Sequence, residues 1–65
     1  MSLNPEQQEI FNNMLDLVYS MKTETDHEKK VQIQYLIEEK KNKLMNTMVF
    51  RDYIKFMVKA SPLFL

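Results

Sequence analysis

Glycine is absent from this chain, and that absence narrows the available folds more than any other feature. A tight β-hairpin turn needs a residue at positive φ, and no Asn-Gly or Asp-Gly pair is present to supply one. Gly-rich phosphate loops and dinucleotide-binding turns are excluded for the same reason. The two prolines, Pro5 and Pro62, stand near the ends and leave a long interior free of helix breakers. An all-α fold follows, as a helical hairpin or a short three-helix bundle.

At 65 residues the chain has room for one helical domain, residues 1–65. A chain this short buries only ~60% of the surface its unfolded form exposes. Such chains lean on disulfides, metals, oligomerisation or very regular helix packing. No Cys occurs, which removes disulfides and thiolate metal sites. With 45% hydrophobic and 28% charged residues, the composition is that of a folding chain rather than a disordered one. No apolar run approaches the ~20 residues of a spanning helix, and Met1-Ser2-Leu3-Asn4-Pro5 is unlike a signal peptide. The expected location is cytoplasmic.

The first helix is expected from about Pro5 to Lys22. Asn4 suits the N-cap, Pro5 the first helical position, and Gln7 can close a capping box. Ile10, Phe11, Met14, Leu17, Val18 and Met21 then recur at spacings of three and four, which is one face of an amphipathic helix. Thr25 with Glu28 reads as a second capping box, so a short turn follows and a second helix starts near Asp26. Short helix–helix connections make antiparallel neighbours.

From Asp26 to Ala60 nothing interrupts the chain, yet the apolar face moves. Ile33, Leu36, Ile37, Leu44 and Met48 share one side, whereas Phe50, Tyr53, Ile54 and Met57 centre more than ~120° away at ~100° per residue. Two readings account for this. Either the second helix ends near residue 45 and a third runs over 48–60, with Asn46 in the left-handed region and Thr47 as a cap. Or one long helix packs on the first helix with one half and on another subunit with the other. Ser61-Pro62 ends the helix, and Leu63, Phe64 and Leu65 form an apolar tail.

The C-terminal segment carries the main functional expectation. Between Met48 and Ala60 the only charges are Arg51, Asp52, Lys55 and Lys59, gathered in one stripe. Met48, Phe50, Tyr53, Ile54, Phe56 and Met57, with Leu63 and Phe64 of the tail, are the candidate interface residues. A surface this apolar marks an interaction site. Closed homodimers are the commonest oligomers, so assembly into a dimer or higher helical bundle is expected, with another protein as a possible partner. Six Met fit either ordinary core filling or an adaptable binding surface.

Charge is divided along the chain. Residues 1–28 hold Glu6, Glu9, Asp16, Glu24, Asp26 and Glu28 against Lys22 alone, and the remainder is mainly basic. Antiparallel docking would set the acidic part against the basic part, favouring that orientation more than adding stability.

Catalytic and cofactor chemistry finds no support. Glu24-Thr25-Asp26-His27 has the Glu-x-x-His spacing of carboxylate-bridged metal bundles, but such sites use the motif twice with further Glu residues. Ser2, Ser20 and Ser61 have no neighbouring base. No catalytic residue, cofactor or metal site is therefore expected. Lys40 sits within the apolar face and reads as a snorkelling side chain or one paired with an acidic group of the first helix, rather than a buried base or a partner-reading charge. Lys40-Lys41-Asn42-Lys43 suggests a nucleic-acid patch, but Glu38 and Glu39 adjoin it and the pI is near 6.6. Arg51, Lys55 and Lys59 opposite Phe50 and Ile54 suggest a membrane-surface helix, but the basic count is low. Nucleic acid and membrane are thus the disfavoured partners. They define the alternative, a small regulator using its basic second half.

Ile37-Glu38-Glu39-Lys40-Lys41-Asn42-Lys43-Leu44 faintly resembles the first helix of the small helical-hairpin phosphatases of bacterial sporulation phosphorelays. That family's signature, Ser-Gln-x-Leu-Asp on its second helix, has no counterpart in this sequence. No residue role is carried over.

Overall fold

The computed structural model describes residues 3–64; Met1, Ser2 and Leu65, the end of the apolar tail, lie outside it. Three α-helices follow in order: α1 over Pro5–Thr23, α2 over His27–Met45 and α3 over Phe50–Ala60. A 3-10 turn, Ser61–Phe64, closes the described chain, and no strand occurs among the described residues.

α1 opens on a complete capping box. Asn4 Oδ1 accepts from the Gln7 backbone N–H at 2.8 Å, and Gln7 Oε1 accepts from the Asn4 N–H at 3.0 Å. Its far end is closed by the Thr23 hydroxyl, which donates to the carbonyls of Tyr19 and Ser20. The turn into α2 departs from expectation. Asp26, not Thr25, is the N-cap, with Oδ1 accepting from the Glu28 N–H at 3.0 Å. Glu24 Oε1 accepts from the N–H groups of Thr25 and Asp26, both at 3.0 Å. An aspartate at the cap combines a hydrogen bond with negative charge at the positive end of the helix dipole.

α1 and α2 form an antiparallel hairpin. Gln7 meets Thr47 at one end, and Val18 and Met21 face Gln34 and Ile37 toward the other. The buried stripe of α1 is Gln7, Phe11, Met14 and Val18, and that of α2 is Ile37 and Leu44. Met14 and Leu44 are wholly buried and sit at the centre of the core. Burying side chains of this size contributes ~1.5–3 kcal/mol each.

Of the two readings of the C-terminal half, the structure has the break. α2 ends at Met45, and the backbone N–H groups of Asn46, Thr47 and Met48 bond back to Asn42, Leu44 and Met45. The local chemistry is not the expected one. Asn46 stays right-handed at φ −73° and ψ −11°, and no positive φ occurs among the described residues. Thr47 closes the helix behind it, its hydroxyl donating to Leu44 O at 2.7 Å. Val49 is the N-cap of α3 and offers no side-chain hydrogen bond. The break lets α3 turn its own apolar face onto the hairpin, which a straight continuation of α2 would carry away. Phe56 meets Phe11 edge-on at 4.9 Å between ring centroids, Phe64 meets Phe11 at 6.1 Å, and Ala60 is buried beside them.

Candidate interaction surface

The expected interface residues divide between the core and the surface. Met48, Tyr53, Phe56, Met57 and Phe64 are half-buried and pack against the core of their own chain. Phe50 and Ile54 are exposed on α3, and Leu63 is exposed on the 3-10 turn. Val49 and Val58 are exposed beside them and were not among the expected interface residues. Helix geometry explains the division. With Phe50 at zero and ~100° per residue, Phe56, Ala60, Tyr53 and Met57 occupy ~240–340° and face the hairpin. Phe50, Ile54 and Val58 occupy ~0–80°, and Arg51, Lys55, Lys59 and Asp52 fill ~100–200°. The apolar arc of α3 is thus about twice as wide as the hairpin covers. The uncovered half is a stripe at spacing i, i+4, i+8 that runs beside the basic edge.

Phe50 is 66% exposed and Val58 67%, so the fold of the single chain covers only the smaller part of either residue. A second exposed apolar group lies on the outer face of α2. Val31, Tyr35 and Leu36 line a shallow, almost wholly apolar depression there with Gln32. It was not anticipated, because Val31 and Tyr35 fall between the two main apolar directions of the sequence.

The charge division reaches the structure in a limited form. Glu6 and Glu9 of α1 face Lys40 and Lys43 of α2 across an open groove of about 570 Å³, shared with Ile10, Asn13, Asn46 and Thr47. No ion pair forms across it. Among the described residues the only one is Lys41–Glu38 within α2, at 3.3 Å. Lys40 is half-buried at the groove wall.

The remaining candidates do not converge on chemistry. His27 is exposed at the first position of α2, and Glu24 Oε1 is engaged by backbone N–H groups of its own turn. Those hydrogen bonds, led by the one from Asp26, hold the Glu24 carboxyl below the ordinary glutamate range against the opposing effect of desolvation. Coulombic attraction from Lys29 and Lys30 adds to the lowering. No group of three or more His, Cys, Asp or Glu that could hold a metal occurs among the described residues. The Ser61 hydroxyl donates to Val58 O, and Ser20 is exposed. No described helix is long and apolar enough to cross a membrane.

No protein-family model, curated protein or solved structure matches this chain.

Proposed function

We propose that this protein is a non-enzymatic helical interaction module that self-associates through the outer face of α3 and the 3-10 turn. The observation that carries the reading is the half-covered apolar arc of α3. Phe50, Ile54 and Val58, with Leu63 beyond them, stand on the surface of a chain whose small core leaves association as its main further source of stability. A homodimer is the simplest closed assembly. No cofactor or metal takes part in it.

Sedimentation across roughly a hundredfold concentration range tests the proposal, since linked folding and assembly respond to mass action. Dissociation on dilution is expected, with Phe50→Asp or Ile54→Asp shifting it strongly because each would desolvate an unpaired charge. Gln8→Asp on exposed α1 should leave it unchanged. A well-folded monomer at every concentration would overturn the reading. The alternative is contact with nucleic acid or an anionic membrane along Arg51, Lys55 and Lys59, which border the same stripe. Binding to a nucleic acid or to anionic vesicles that falls steeply with added salt would favour it.

A further inference from the structure

We infer that the α3 stripe of one copy docks on the outer face of α2 of a second copy, so the interface joins two different surfaces of the same chain. The inference rests on the self-association proposed above and adds the identity of the receiving face. Its basis is that the two exposed apolar stripes carry opposite charge.

On α3, Phe50, Ile54 and Val58 are bordered along one edge by Arg51, Lys55 and Lys59, all exposed or partly so. On α2, with Ile37 at zero and ~100° per residue, Val31 and Tyr35 lie at ~120–160°, turned away from the hairpin core. Val31 is 49% exposed and Tyr35 67%. Glu38 lies at ~100° on one side of this pair, and Glu28 and Glu39 at ~180–200° on the other. Leu36, the third exposed apolar residue of this face, lies at ~260° between Lys43 at ~240° and Lys29 at ~280°, whereas Lys30, Lys40 and Lys41 lie toward the hairpin, so the acidic edge belongs to the Val31–Tyr35 side of the face. Glu38 is held by Lys41, but Glu28 and Glu39 make no ion pair among the described residues. An apolar stripe with a basic edge therefore exists beside an apolar stripe with an acidic edge. The basic edge, Arg51 to Lys59, spans ~12 Å along its helix and the acidic edge, Glu28 to Glu39, ~16 Å, at ~1.5 Å per residue.

Pairing α3 with α3 of the second copy lacks this match. In an antiparallel two-fold pair each flank meets its own image, which would set Arg51, Lys55 and Lys59 against the same residues of the other copy. Like charges placed together oppose association. Docking α3 on α2 reverses the sign of that contribution. A two-fold dimer can make the contact twice, once in each direction.

The test is complementation between two variants of the full chain, Ile54→Asp and Tyr35→Asp. Both residues are substantially exposed, so each variant should keep the helical circular-dichroism spectrum of the parent. Each alone should self-associate at least roughly tenfold more weakly, because both contacts of its homodimer contain an aspartate. An equimolar mixture should recover part of the assembly, since the intact α3 of the Tyr35→Asp chain meets the intact α2 of the Ile54→Asp chain. If Ile54→Asp weakens assembly while Tyr35→Asp assembles like the parent, the α2 face is not the receiver and this inference falls, while self-association through α3 stands. Weakening in both with no recovery on mixing also overturns it. A parent chain that stays monomeric removes both proposals together.

Discussion

The buried Gln7 amide accepts from the Asn4 N–H and donates to Thr47 O at 3.2 Å and to Thr47 Oγ1 at 3.1 Å. It thereby ties the start of α1 to the turn between α2 and α3. Gln7→Ala would leave the Asn4 N–H without its side-chain partner and Thr47 without its donor. Unmade bonds of this kind cost about 1–3 kcal/mol. Gln7→Glu would keep the acceptor for Asn4 but turn a carboxylate toward the Thr47 carbonyl, with a loss of similar size. Urea unfolding should resolve both against Gln8→Ala, an exposed change expected to stay within about 0.5 kcal/mol. Half of this arrangement is legible in sequence. Asn4-Pro5-Glu6-Gln7 spells out the capping box, but the bonds to Thr47 join residues 40 positions apart, and no local pattern announces them. Glu24 sets a pH dependence at the other end of the hairpin. Its carboxyl is held below the ordinary glutamate range by backbone N–H groups. The stabilisation is therefore present above the unfolded glutamate pKa and is lost as pH falls through the lower folded value. Thermal melts of parent and Glu24→Gln should differ most at neutral pH and converge as the carboxyl protonates at acid pH, with solvent exposure keeping the difference small.

At the scale of elements, α3 is the least securely started of the three helices. Val49 occupies its N-cap with extended backbone, φ −70° and ψ 151°, yet has no side-chain oxygen to accept from the first turn. Its side chain is also 64% exposed, so little packing is lost by replacing it. Val49→Asp or Val49→Ser should stabilise the fold by about 0.5–2 kcal/mol. For a chain this small, 1 kcal/mol corresponds to ~4–8 °C in melting temperature. A scan at fixed protein concentration checks it, and an unchanged or lower value would contradict the cap assignment. The missing cap also explains why the break was legible only as one of two readings. The rotation of the apolar face was plain in Phe50, Tyr53 and Met57, but no Ser, Thr, Asp or Asn stands at the position that starts the new helix. The candidate surface was legible to a similar extent. Counting apolar residues on α3 identified the segment, but only tertiary packing divides Phe56 and Met57, which face the core, from Phe50 and Ile54, which do not. The outer stripe of α2 was hidden because Val31 and Tyr35 fall between the two main apolar directions, while Leu36 falls by periodicity on the side of Ile33 and Ile37 yet is exposed in the structure.

For the whole molecule, the division of α3 into inner and outer faces would separate folding from the proposed assembly. Phe11 is the meeting point of the inner contacts, touching Phe56 and Phe64 and packing beside Met14 and Leu44. Removing it by Phe11→Ala should cost about 3–5 kcal/mol, on the scale of large-to-small core substitutions. That is a large fraction of the stability of a domain this small, so loss of the cooperative melt is expected at every concentration. Phe56→Asp should act in the same way, because its ring lies against Phe11. Ile54→Asp should behave differently. It leaves the inner contacts intact, so helix content persists while the assembly contribution disappears. The parent's melting temperature should rise with protein concentration, whereas that of Ile54→Asp should stay flat at or below the parent's dilute value. Circular-dichroism melts of parent, Ile54→Asp and Phe56→Asp over a concentration series distinguish the two classes. Should Ile54→Asp unfold as completely as Phe56→Asp, the outer stripe would belong to the core of the monomer, and α3 would have no face left over for a partner.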